Sequence, residues 1–418
     1  MSLDPEFLAS WKYLEPRDVF AVLNAEPRPK HGVVWTIENE IKPIDLVCYL
    51  AARFGPPNGI QNYLREDDSD NLIHWEWAFD SKLGRVNVMG MNFRTEVQIG
   101  SSSPITADDR DDFIAQVKSD FAAHGRGMSL VRKSFEHWIE FVNPYVRLRH
   151  SVDRLVEQLK ALKLDPLADS AVNTWQLTDE QAKENWEATM NRYSLGLGIC
   201  FGIRSMLPVM AEAFVNFIMY VLLRPEIRED NRLRENAFRQ PIDVRVKSLS
   251  LNCLGFAKPI DYADPACGRY HSLVNERNDL LHGNVVIDKL KFNEVFFKGK
   301  IPIFKEYRSM WQRSVGVEIH AVGLDHVLDE LTTVQNFIEY VLSCTLDDLR
   351  PHIERLLTTR DLGLNESNGR IGVLFPSWLV DFRAVVRSPD HATEKNSKTG
   401  NGTRAKRRKG GRGNKPRS

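Results

Sequence analysis

Residues 206–223 (MLPVMAEAFVNFIMYVLL) depart from an apolar composition only at Pro208, Glu212 and Asn216. No fold leaves such a segment in water, so it either crosses a membrane or becomes the centre of a core. At 18 residues it is shorter than the about 20 that a bilayer span needs, and it carries a carboxylate and an amide. The expectation is a buried helix over residues 200–223, with Pro208 in its first turn and Pro225 ending it.

Helical spacing continues on both sides. Apolar residues recur three and four apart over residues 111–123, 129–142 and 151–164. Residues 165–174 read as a connection, and Thr178 with Gln181 forms a capping box for a helix over 179–193. Downstream, Pro241 opens a helix over 242–251. Another runs from Pro265 to His282 and meets Gly283 as its C-terminal cap. Residues 291–320 read as irregular, with strand fragments at 292–297 and 301–304, and further helices are expected over 324–342 and 346–357.

Residues 1–100 have a different texture. A short helix over 44–54 is ended by Gly55-Pro56-Pro57, and Asp67-Asp68-Ser69-Asp70 makes a turn. That turn lacks the Gly and late Glu of a calcium loop. Residues 72–79 and 85–99 are rich in aromatic and β-branched side chains and predict antiparallel strands, joined at 81–84 and bent at Gly90. A Ser-rich linker follows at 101–104. The chain is therefore expected to be α+β, mainly α. It divides into a small mixed α/β domain at 1–100, a helical connector at 101–195, a helical domain at 196–360 and a disordered basic tail at 391–418.

Lys+Arg and Asp+Glu both number 56, yet the zero net charge hides an asymmetry. Residues 391–418 hold ten Lys or Arg and one Glu, so the tail carries +9 and the other 390 residues carry −9. Such a tail attracts polyanions, nucleic acid first. The five cysteines (Cys48, Cys200, Cys253, Cys267 and Cys344) form no CxxC pair, which argues against a disulfide framework or a thiolate zinc site and fits a reducing cytoplasm. No basic-then-apolar leader opens the chain, and no cofactor, metal or membrane is expected.

An Arg followed, after four to six intervening residues, by His occurs three times: Arg132/His137, Arg277/His282 and Arg313/His320. With 35 Arg and 11 His in the chain, about three such pairs arise by chance, so context has to separate them. Arg132 precedes Lys133, with His137 expected in mid-helix on an amphipathic surface. Arg313 falls in the segment read as irregular. Only Arg277 has an adjacent Asn278, a helix ending at His282 and a Gly directly after it.

With these features, residues 200–345 resemble the HEPN superfamily, and more loosely its members linked to abortive phage resistance. The resemblance is carried by Arg277-Asn278-Asp279-Leu280-Leu281-His282, by Ala211-Glu212-Ala213-Phe214-Val215-Asn216 as a first helix, and by Pro241-Ile242-Asp243-Val244-Arg245-Val246-Lys247 as a second. It covers about a third of the chain. It implies a helical bundle, a homodimer that brings two motifs together, and an endoribonuclease in a toxin or phage-defence role whose catalytic residues are Arg277, Asn278 and His282. The alternative is a non-catalytic HEPN scaffold or an RNA-binding or signalling module. In that case the motif is a polar face closing a helix, with His282 at the dipole's negative end. A DNA-binding regulator ranks lower, since no helix-turn-helix, zinc finger or phosphate-binding loop accompanies the basic tail.

The chemistry suits these residue types. RNA carries its own nucleophile in the 2′-OH, so cleavage requires proton transfer and charge stabilisation without a metal. His282 exchanges protons near neutral pH. Arg277 stays charged and offers a rigid fork of donors for the scissile phosphate. Asn278 lies four residues before His282 on one helical face, whereas Arg277, five residues before it, is turned about 140° away. Glu276 and Asp279 read as ion-pairing surface groups, because no His/Asp/Glu cluster adjoins them in the sequence.

The tail generates the first prediction. Removing residues 391–418 should weaken binding to RNA and flatten the dependence of log affinity on log salt, because counterion release scales with the phosphates neutralised. Equal affinity and equal slope across a salt series, with and without the tail, would remove this role.

Overall fold

Alternating apolar and polar residues place successive side chains on opposite faces of a strand. The computed structural model describes residues 3–23, 29–64, 71–101, 103–170, 180–285 and 287–375. Its first unit contains β1 (Lys12–Tyr13), β2 (His31–Ile37), helix α1 (Pro43–Phe54), β3 (Trp75–Ser81), β4 (Gly84–Gly90) and β5 (Thr95–Ser101). The strands form an antiparallel sheet in the order β1-β3-β4-β5-β2. The expected hairpin at 81–84 is present. The single bent strand expected over 85–99 is instead two strands, because the chain reverses after Gly90, which sits opposite Thr95. A Cβ on Gly90 would lie 2.0 Å from the Trp75 ring, so only glycine admits that ring across the strand.

Helix α1 and helix α2 (Asp109–Lys133) pack together over this sheet, burying Trp35, Trp77, Phe79, Tyr49, Phe113 and Val117. Asp120 of α2 accepts hydrogen bonds from Tyr49 Oη at 2.7 Å and Arg53 at 2.6 Å, both on α1. Residues 101–195, expected as a connector, are thus divided between two cores. Phe113, Ile114 and Val117 belong to the first; Tyr145, Val152 and Val156 belong to the second. Amphipathic spacing reveals an apolar face but not the surface that receives it. The helix expected over 129–142 is also corrected. α2 ends at Lys133, and β6 (Trp138–Val142) is a strand that pairs antiparallel with Asp361–Asn365 near the other end of the described chain.

The second core is built on α3 (Pro144–Ala161) and α4 (Glu180–Leu222). Two separate helices were expected over 179–223; α4 is one helix of 43 residues with Pro208 in its interior, not its first turn. Proline removes one N–H and leaves the carbonyl four residues back without its helical donor. Burial outweighs that cost, since Ile203, Leu207, Ala211, Phe214 and Ile218 are fully enclosed. Among the described residues α4 is the one helix long and apolar enough to cross a membrane, and its apolar side is the centre of this core.

Around it lie α5 (Ile242–Lys247), α6 (Pro265–His282), the hairpin β7 (Val295–Lys298) and β8 (Ile301–Phe304), α7 (Val315–Val322), α8 (Val327–Ser343), α9 (Arg350–Thr358) and β9 (Asp361–Asn365). The helix expected over 242–251 is split at Ser248 into α5 and a turn at Leu249–Asn252. Residues 310–322, expected to be irregular, are helical: a Ser309–Gln312 capping box starts Met310–Arg313, and α7 follows. The chain is α+β and mainly α, with a small sheet domain ahead of a helical region. The acidic turn at 67–70, Thr178 of the expected capping box and the tail expected to be disordered lie outside the described residues.

All five cysteines are buried and free. Burial pushes the thiols of Cys200, Cys253 and Cys267 up to about 12. Thiolate is the reactive form. Alkylation of these three at pH 8 should therefore run about a thousandfold slower than for an exposed cysteine. All five should react once the protein is unfolded. Rapid labelling of native protein, read by mass spectrometry, would contradict this packing.

Candidate functional site

Local signals set the ends of α6. Asp264 accepts a hydrogen bond from the Ala266 N–H at 2.8 Å, Pro265 takes the first turn, and Gly283 closes the helix at φ 61° in the left-handed region. Tertiary contacts set its rotation. Tyr270 stacks on Phe337 of α8 with ring centroids 4.1 Å apart, and its hydroxyl donates to the Pro208 carbonyl of α4 at 3.4 Å. Cys267 and Leu273 are buried beside it.

With that rotation fixed, the motif is spread around the helix. Arg277, seven residues after Tyr270, is half-buried on the core side, where its Nη1 donates to Asn278 Oδ1 at 2.8 Å. Its Nε is buried without a partner. Asn278 is half-buried and His282 is exposed. Among the described residues no hydrogen bond or ion pair reaches the His282 ring. Arg277 and Asn278 are therefore brought together, while His282 stands apart from Arg277 within one chain.

The third side of α6 faces a cavity of about 290 Å³, lined by Glu276, Asp279 and Leu280 together with Arg204, His320 and His326. At its inner end Arg204 of α4 donates through Nε to Glu330 of α8 at 2.8 Å, through Nη1 to the Val322 carbonyl at 2.9 Å, and through Nη2 to Glu276 at 3.0 Å. The side chains of Arg204 and Glu330 are each 9% exposed. Burial works against the Arg204 charge, but the hydrogen bond and field of Glu330 outweigh it, and its pKa is raised.

Glu276 forms the ion pair expected of it, with Arg204 as its partner, but its surroundings differ from the expectation. A His/Glu set does adjoin it: ligand atoms of Glu276, His326 and Glu330 lie within 4.8 Å of one another. The donor types suit a divalent cation. However, the Arg204 guanidinium already bridges both carboxylates, 2.5 Å from Glu330 and 3.0 Å from Glu276, and supplies the positive charge there. The residues present fit a salt bridge better than a metal. Sequence reasoning missed the set because Arg204 lies 72 residues from Glu276 and 126 from Glu330. The one local signal was the four-residue spacing of His326 and Glu330, which places them 3.5 Å apart at the start of α8.

A second buried charge ties residues 211–216 and 241–247 together. Arg245 of α5 bonds Glu212 and Asn216 of α4 and donates to the Gln240 carbonyl at 2.8 Å. The two remaining Arg–His pairs change context. His137 lies outside any helix, is exposed and contacts Glu366 at 3.0 Å. Arg313 ends a helical turn and sits over the Phe304 ring at 5.0 Å, while His320 lines the cavity. No family of known proteins, no curated protein and no solved structure matches this chain.

The buried pair gives a stability prediction. Arg204→Met should destabilise the protein by about 3–5 kcal/mol, because it strands the buried Glu330 carboxylate. Adding Glu330→Leu should recover most of the loss, since a buried ion pair replaced on both sides by apolar groups is often neutral. Urea unfolding of the two variants checks this; additive losses would contradict the coupling.

Proposed function

We propose that the chain is a metal-independent endoribonuclease of HEPN type, with Arg277, Asn278 and His282 as its catalytic residues. One observation carries the reading: the motif occupies the last turns of a helix capped at both ends and anchored in the core, with the imidazole of His282 open to solvent. The junction of Arg245 with Glu212 and Asn216, which joins the other two segments of the resemblance, supports it further.

In this reading the 2′-oxygen of RNA attacks the adjacent phosphorus while an imidazole accepts its proton. The bond from phosphorus to the 5′-oxygen breaks, and an imidazolium protonates the departing oxygen. Arg277 holds the phosphate and stabilises the charge that grows on it. The products are a 2′,3′-cyclic phosphate and a 5′-hydroxyl. One site needs a base and an acid, and a second copy of the chain supplies the second His282. Such an activity in a cytoplasmic setting fits a toxin or phage-defence role.

A second reading, a non-catalytic RNA-binding or signalling scaffold, draws on the separation of Arg277 from His282 within one chain. Cleavage products and variants distinguish the two. Wild type should yield cyclic-phosphate ends in the presence of EDTA. His282→Ala should lower the rate about 10²–10⁴-fold without unfolding the protein. Arg277→Ala should be similarly severe. In cells where wild type arrests growth or protects against phage, both variants should lose that phenotype. Retention of the phenotype in both folded variants would leave the scaffold reading in its place.

A further inference from the structure

An isolated two-stranded hairpin is marginal in water, and it usually has at least one face covered. β7 and β8 are exposed on both faces along almost their whole length. Residues paired across the strands share a face, so Phe297 lies opposite Pro302 on one side and Phe296 opposite Ile303 on the other. Phe296 is 58% exposed, Phe297 67% and Tyr307, just beyond the hairpin, 93%. Gly299, at φ 62°, makes the tight turn between the strands.

The charge around these rings is distinctive. Residues 291–313 hold six Lys or Arg and two Glu, a net of +4, in a body (residues 1–390) that carries −9. Both acids are already neutralised: Glu294 by Lys291 at 2.5 Å and Lys305 at 2.7 Å, and Glu306 by Arg308 at 3.0 Å. Lys298 and Lys300 flank Gly299 at the tip, and among the described residues neither forms an ion pair. Interface cores between proteins are depleted in lysine, and two bare faces pointing in opposite directions do not press together onto one flat partner. Exposed aromatic rings interleaved with unpaired cations are what an unpaired polynucleotide strand requires: every base has a face to stack, and every phosphate has a charge.

We propose that the β7–β8 hairpin is a binding platform for single-stranded RNA, with bases stacked on Phe296 and Phe297 and phosphates drawn to Lys298 and Lys300. Its place in the chain fits the catalytic reading. Leu290 lines the same cavity as Asp279 and Leu280 of α6, and the chain enters β7 five residues later. The choice of RNA rests on the proposed ribonuclease function, so binding is measured in the His282→Ala background, where the platform and the cleavage reaction fail separately.

The experiment is fluorescence anisotropy on full-length His282→Ala protein with a labelled unpaired RNA, an unpaired DNA of the same sequence and an RNA duplex. Adding Phe296→Ala or Phe297→Ala should weaken binding of the unpaired strands about fivefold to a hundredfold. Phe297→Tyr should retain it. Lys298→Gln with Lys300→Gln should reduce the slope of log affinity against log salt by roughly 0.7 per lysine. Duplex binding should not change in the alanine variants, because paired bases offer no face to stack. Unchanged affinity for unpaired RNA in both alanine variants, or an equal loss on duplex, would overturn the proposal. Alanine variants that split a dimer in sedimentation yet keep RNA affinity would assign the hairpin to a contact between copies of the chain.

Discussion

A guanidinium withdrawn from water has to be neutralised where it lies, and Arg204 is withdrawn almost completely. Its partners come from three places: Glu330 on α8, Glu276 on α6 and the carbonyl of Val322 at the end of α7. One side chain on the central helix therefore fixes how three neighbouring elements stand against it. It lies four residues before Pro208, so the side chain making these contacts leaves α4 where the backbone lacks one helical hydrogen bond.

The orientation of α6 follows from this. A helix turned by one residue moves each side chain by about 100°. Such a turn would take Glu276 away from Arg204 and Tyr270 off Phe337 together. With both held, Asp279 and Leu280 face the cavity, Arg277 lies toward the core, and the side of the helix left to solvent carries His282. The charge that could hold a phosphate and the imidazole that could move a proton thus occupy different sides of one helix. A second chain would close that gap in the proposed enzyme.

What could be read from sequence depended on how far apart the determining residues lie. α6 was legible from end to end because its caps are local: Asp264-Pro265 at one end, His282-Gly283 at the other. The hairpin at 81–84 and the strand fragments around Gly299 were legible for the same reason. α4 was not, since Gly196, Gly198, Gly202 and Pro208 interrupt its helical pattern, and only burial on several sides keeps it continuous. β6 was misread because its apolar residues fit either period, and its partner strand lies more than 200 residues further on. Of the candidate site, the motif residues were visible and the ion cluster beneath them was not, as its members are separated by up to 126 positions.

The pairing of β6 with β9 also bears on how the protein comes into being on the ribosome. The sheet domain is complete within the first third of the chain, so it has all its core residues early in translation. The helical region does not: β6 waits for its partner β9, which ends at Asn365, long after α3 and α4 have been made. At ordinary synthesis rates His282 emerges roughly 4–17 s before that strand. Throughout this interval the apolar side of α4 lacks part of its cover. The nascent chain therefore keeps apolar surface of α4 exposed until α8, α9 and β9 have been made.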